Sequence, residues 1–159
     1  MVIIYESENF IVESKERPFV SRTEGGHIRI KVKDKSIRDR TKLSPKQAIE
    51  LMRLTIIVGD SLEKAMNKQG IPVIKINYHD MSNWAFKRKE LPYLHIHVFG
   101  RSKDAKKQKF PEAVYLPARE SGFYEGFEPL NSRDVGIIKK LINLTFKSKK
   151  FSDSAWGLC

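Results

Sequence analysis

The sequence predicts an α+β fold: a mainly antiparallel sheet of about five strands, with a long helix after the third strand and a second helix near the C-terminus. Three observations lead there. Short segments alternate apolar and polar residues, the signature of half-buried strands. One long segment carries both a helix start and a helix stop. The order along the chain is strands, helix, strands, helix, without the regular strand–helix repetition of a parallel sheet.

The elements follow in sequence. Strands are expected at Val2–Tyr5, Asn9–Glu13, His27–Val32, Val73–Tyr78 and Tyr93–Phe99, with Gly25-Gly26 in a turn before the third. The long helix opens at Ser44, a good N-cap. Pro45 suits the first helical position and Gln47 completes a capping box. Ala48, Leu51, Met52, Thr55, Val58, Gly59, Leu62, Ala65 and Met66 then recur at the spacing of one buried face. Gly70 supplies the stop, with Pro72 just beyond. A second helix starts near Asn131, with Val135, Ile138, Leu141, Ile142 and Thr145 on one stripe. Between Arg101 and Leu130 the sequence reads as a long loop region with one short strand near Ala113–Leu116. Its Tyr115, Phe123, Tyr124 and Phe127 are expected to pack an extension over the core.

Composition bounds the function. The chain has 159 residues and a formal charge of +11. It is expected to form a single domain over 1–159, with a core at about 9–101 and a C-terminal extension at about 102–159. No apolar run approaches the roughly 20 residues that cross a bilayer, so no membrane partner is expected. The segment Met1-Val2-Ile3-Ile4-Tyr5-Glu6 lacks the marks of a secretory signal, and there is one cysteine, Cys159. Both agree with a cytoplasmic protein. The basic excess is clumped: Arg29–Lys42 holds seven basic residues and two acids, Arg101–Lys109 five and one, and Lys139–Lys150 five lysines and no acid. A polyanionic partner and a merely solvated lysine-rich surface both fit that charge.

The informative strand is Leu91-Pro92-Tyr93-Leu94-His95-Ile96-His97-Val98-Phe99-Gly100-Arg101. Leu94, Ile96 and Val98 point to one face, and Tyr93, His95, His97 and Phe99 to the other. Two imidazoles at this spacing are about 6.5–7 Å apart at Cα, so both reach one phosphate or one metal ion. Neutral imidazole is a nucleophile, a base and a ligand near neutral pH. Three readings stay open from the residues: a catalytic pair, a metal pair completed by His27 or His79, and two histidines on a solvated sheet face. The metal reading is the weakest, because no acidic residue stands at a matching spacing on the strand.

The segment resembles the histidine-triad (HIT-like) superfamily of nucleotide hydrolases and transferases, whose signature is His-φ-His-φ-His-φ-φ with φ apolar. Here the slots hold Tyr93-Leu94-His95-Ile96-His97-Val98-Phe99, followed by Gly100-Arg101. Gly25-Gly26-His27-Ile28-Arg29-Ile30 is similar to the superfamily's Gly-His strand. The helix from Pro45 to Gln69 stands where the superfamily has its long helix. Ile74-Lys75-Ile76-Asn77 is similar to the strand before the motif, and the likeness covers about residues 9–101.

The resemblance implies a HIT-like fold and a metal-free, cofactor-free reaction. His95 would attack the α-phosphorus of a nucleotidyl or dinucleoside-polyphosphate substrate and carry a covalent nucleotide. His97 would bond phosphate oxygens, His27 would support the site, and Asn77 would contact ribose or phosphate. Arg101 and Lys89 are further candidate phosphate contacts. A homodimer is implied by analogy. Tyr93 departs from the first histidine of the signature, and Lys89-Glu90 departs from the Gln and Ser/Thr that assist the leaving group. Those departures, with the net charge, keep an alternative: a catalytically weak nucleotide- or RNA-binding module of the same fold. Trp84 and Phe86 are expected in a loop before the motif, either stacking on a base or plugging the fold. His79 is expected at the surface.

Overall fold

The computed structural model describes residues 1–158; Cys159 lies outside the described residues. Strands β1 (Ile3–Glu6), β2 (Phe10–Ser14), β3 (His27–Val32), β4 (Val73–Asp80) and β5 (His95–Ser102) form one antiparallel sheet. Their order is β1-β2-β3-β5-β4. Helix α1 (Pro45–Lys68) joins β3 to β4, α2 (Asn83–Lys87) precedes β5, and α3 (Ser132–Phe146) follows the extension. The α+β arrangement with a long helix after the third strand is the one expected. Among the described residues no helix is long and apolar enough to cross a membrane.

Both long helices begin with complete capping boxes. Ser44 Oγ accepts from Gln47 N–H while the Gln47 side chain accepts from Ser44 N–H; Asn131 and Asp134 do the same for α3. Each box satisfies two backbone donors that the first helical turn leaves free.

The sheet's two faces differ in kind. Val12, Ile28, Ile30, Ile96 and Val98 are wholly or nearly wholly buried and pack against Leu54, Val58, Leu62 and Ala65 of α1 in one core. Ile138 and Ile142 of α3 join that core, so the last part of the chain covers the helical layer. The opposite face carries Glu13, His27, Arg29, Lys31, His79, His95, His97, Phe99 and Arg101, aligned across the strands by register: Arg29 opposes His97 and His79 opposes His97 from the other side.

Residues 103–130 cross this polar face without forming a strand. The expected strand near Ala113–Leu116 is absent because the Gln108 side-chain amide takes the place of a strand partner. It donates to Tyr115 O (2.8 Å) and accepts from Tyr115 N–H (2.9 Å), and also donates to Phe19 O (2.8 Å). The Glu24 carboxylate accepts the backbone N–H groups of Lys106, Lys107 and Gln108 at 2.7–2.9 Å. The expected loop around Trp84 and Phe86 is the short helix α2 instead, and the motif strand starts at His95 rather than Tyr93.

Gly25 and Gly100 explain how β5 comes so close to the turn before β3. A Cβ on either residue would strike the other's carbonyl group, and Gly25 has φ 128°. Only glycine fits such a backbone-to-backbone contact.

Candidate active site

The site is built on β5. Alternation puts His95 and His97 on the polar face, and the register brings His27 of β3 opposite Phe99, one step along from them. Three hydrogen bonds then order the imidazoles. Phe19 N–H donates to His27 Nδ1 (3.1 Å), His27 Nε2 faces His97 Nδ1 (2.8 Å), and His95 Nδ1 faces the Tyr93 carbonyl oxygen (2.9 Å). Ser82 Oγ also donates to that carbonyl (3.0 Å).

These partners fix the tautomers. A backbone N–H can only donate, so His27 Nδ1 accepts and its proton sits on Nε2. His27 Nε2–H then donates to His97 Nδ1, which leaves the His97 proton on Nε2. A carbonyl can only accept, so His95 carries its proton on Nδ1 and a lone pair on Nε2. The rings of His95 and His97 are 4.9 Å apart. The result is one imidazole with a free lone pair beside another with a free N–H.

Electrostatics keep the three rings neutral. Burial pushes the pKa of His97 down to about 2, with His95, Arg29 and Lys15 adding cationic repulsion. His27 is held well below its ordinary value, first by burial and then by His97 and Lys15. Burial also lowers His95, against the opposing pull of the Tyr93 carbonyl. An unfolded histidine takes up a proton near pH 6.5, whereas buried His27 and His97 do not. The unfolded chain therefore binds more protons below that pH, and stability falls as the pH falls. Each histidine is expected to contribute up to about 1.4 kcal/mol per pH unit. Urea midpoints measured from pH 7 to pH 5 should decline; a flat profile would contradict buried neutral rings.

His95 and His97 line a cavity of about 460 Å³. Met81, Trp84, Leu91, Pro92 and Leu116 give it apolar walls, and Lys15, Arg29 and Arg119 give it cationic ones. His27 lies behind the cavity, 1% exposed, as a support for His97.

The other expected contacts lie elsewhere. Arg101 is 2% exposed. Its guanidinium donates to Asn77 Oδ1 (2.7 Å) and to the carbonyls of Gln108, Lys109 and Glu112 (2.8–3.3 Å). Arg101 and Asn77 thus occupy each other beneath the extension, and neither lines the cavity. Both lie on the polar face, with Asn77 opposite Phe99 and Arg101 opposite Lys75, but residues 103–130 cover that part of it. Lys89 is exposed with φ 57° and does not line the cavity, whereas Arg88 and Glu90 do. His79 is half-buried on β4 with its ring 5.2 Å from Phe99. Phe86 is 69% exposed, while Trp84 packs edge-on against Phe19 at 5.5 Å.

Lys15, Phe19, Ser82 and Arg119 are among the lining residues that the sequence did not disclose. Lys15 shares parity with Glu13 and so had a faint signal; Arg119 arrives by tertiary folding alone. Among the described residues, no group of three or more His, Cys, Asp or Glu side chains is placed to hold a metal ion.

The sequence matches no family model and no curated protein. Solved structures do match. A histidine triad protein from Sinorhizobium meliloti is 17% identical, with 90% of this chain and 87% of that chain aligned at a TM-score of 0.62. One from Marinobacter aquaeolei is 15% identical, with 90% and 86% aligned at 0.61. A hypothetical histidine triad nucleotide-binding protein from Sulfolobus tokodaii is 16% identical, with 94% and 88% aligned at 0.57. At such identities the likeness is one of fold.

Proposed function

We propose that this chain, which has the fold of the histidine-triad proteins, is a nucleotide-binding hydrolase or transferase that works through a covalent nucleotidyl-histidine on His95. The observation that carries this reading is the hydrogen bond from His95 Nδ1–H to the Tyr93 carbonyl, which leaves a lone pair on Nε2 of a cavity-lining imidazole. A backbone carbonyl does this whatever the side chain, so Tyr93 in the first histidine slot preserves the arrangement.

In the proposed reaction, His95 Nε2 attacks the α-phosphorus. The bond from phosphorus to the leaving group breaks, and the leaving group takes its electron pair, together with a proton from solvent where it is an amine. His97 Nε2–H donates to a non-bridging phosphate oxygen as charge builds there. Water then attacks the phosphorus and gives up a proton to solvent; the phosphorus–nitrogen bond breaks with its electron pair returning to His95 Nε2, which restores the starting tautomer. The apolar wall with Trp84 suits the flat face of a base.

One observation favours the weaker reading, a binding module of the same fold. Lys89 does not line the cavity, and Arg88 and Glu90 bond each other at 2.9 Å. The usual leaving-group assistance is therefore not visible in this segment. The discriminating experiment is incubation with diadenosine tetraphosphate or adenosine 5′-phosphoramidate, followed by acid quench and mass spectrometry. We expect AMP release and an AMP adduct on the peptide that contains His95. Tight nucleotide binding with neither release nor adduct would overturn the catalytic reading in favour of the binding one.

A further inference from the structure

Ser82 stands at the N-cap position of α2, where a serine hydroxyl ordinarily accepts a hydrogen bond from a backbone N–H of the first turn. Here the hydroxyl makes no bond to the helix, and Ser82 has φ 59°. A left-handed conformation is costly for a residue with a Cβ, and such outliers persist where the surroundings impose them. The hydroxyl is directed across the turn instead. Ser82 Oγ donates to the Tyr93 carbonyl oxygen (3.0 Å) and lies 3.3 Å from His95 Nδ1.

That carbonyl lies beyond the sheet. The β4–β5 ladder ends at Asp80 opposite Ile96, and β5 itself begins at His95. The Tyr93–Leu94 peptide is held at its nitrogen end, where Leu94 N–H donates to Ile37 O (2.8 Å). At its oxygen end no backbone N–H donates among the described residues; the donors are His95 and Ser82. The acceptor that orients His95 is thus itself fixed by one hydroxyl.

The hydroxyl also disfavours the other tautomer. It has one hydrogen, directed at Tyr93 O, so a lone pair of Ser82 Oγ faces His95 Nδ1–H as a second acceptor. Moving the proton from Nδ1 to Nε2 would set a bare nitrogen against two oxygens. Turning the Ser82 hydrogen toward that nitrogen would relieve one contact and leave the Tyr93 carbonyl without a donor. Either way the tautomer with a lone pair on Nε2 is favoured.

We infer that Ser82 is a positioning residue for His95, fixing the Tyr93 carbonyl and through it the tautomer and aim of the imidazole. The inference rests on the proposed role of His95. It also gives the left-handed turn before α2 a purpose.

The test reads the tautomer directly and needs no turnover. Nitrogen-15 shifts of the imidazoles are recorded in the full-length protein near neutral pH, with the His95 signals identified by their loss in His95→Ala. The wild type should show a proton on Nδ1 and a bare Nε2. In Ser82→Ala and Ser82→Gly the ratio of that tautomer to the other should fall by about fivefold, the net contribution of one hydrogen bond. Ser82→Thr keeps the hydroxyl and should restore most of the ratio. Stability should follow a different order. Glycine adopts φ 59° freely and a β-branched residue does so least readily, so Ser82→Gly should melt above both Ser82→Ala and Ser82→Thr. A merely structural role would make the tautomer follow the melting order. On diadenosine tetraphosphate, kcat should fall by roughly tenfold in Ser82→Ala and Ser82→Gly with KM little changed, as when reacting atoms are misaligned. A wild type protonated on Nε2, a ratio unchanged in Ser82→Ala and Ser82→Gly, or one that Ser82→Thr does not restore would overturn the positioning role. AMP release by a protein whose tautomer is insensitive to Ser82 removes that role and leaves His95 standing. A sensitive tautomer in a protein releasing no AMP keeps the positioning role and overturns the catalytic reading.

Discussion

His95→Ala should stop mononucleotide release, lowering kcat by about four orders of magnitude or more, as removal of a nucleophile does elsewhere. The fold should survive, because His95 is only partly buried and its loss leaves the His27–His97 pair intact. Near-wild-type turnover in this variant would exclude the proposed mechanism outright. The acid limb of the wild-type pH profile carries a second check. Burial lowers the His95 pKa below 6.5, so the attacking lone pair persists as the pH drops through that value. The fall in kcat/KM should therefore come below pH 6.5, the pH at which an unperturbed imidazole would lose its lone pair. A limb centred above 6.5 would assign the rate to another group.

Arg101→Met should be the most damaging substitution for stability. The guanidinium satisfies one side-chain oxygen and three backbone carbonyls in a place water does not reach. Methionine fills much of the volume and leaves those acceptors unpaired. The expected loss is about 3 kcal/mol, and for a chain of this length the melting temperature should fall by roughly 6–12 °C. Amide exchange should quicken first across residues 106–115, the segment Arg101 and Glu24 jointly anchor. A melting point within 2 °C of wild type, the low end of what about 1 kcal/mol moves, would mean the extension holds without it.

The contrast between His95 and Arg101 shows what a sequence discloses. Alternation along residues 93–99 put His95 on the polar face, and the same parity, continued in the structure, carries Arg101 there, because strand periodicity is local. What covers that face is not local. Gln108 and Glu24 capture backbone groups from far along the chain, and nothing near Arg101 signals that it will be buried beneath them. The helix starts were legible for the same reason as the strand, since a capping box spans four residues. The short helix α2 was not: Gly and Pro do not bound it, and Ser82 enters it with φ 59°. Lys15 and Arg119, more than a hundred residues apart in sequence, share a cavity only because the extension returns over β2 and β3.

That return has a kinetic consequence. Arg22 pairs with Asp134 across 112 residues, Arg53 with Asp153 across 100, and Glu24 gathers three N–H groups more than 80 residues away. Closures of this span come late in folding, since the chain entropy they cost must be overcome before they stabilise anything. During synthesis the motif strand is complete well before the segment that walls its cavity has been made. The histidines can be in register while the cavity still lacks Leu116 and Arg119. Closure of the cavity therefore waits for residues 116–119 to emerge, after the sheet that bears His95 and His97 has been made.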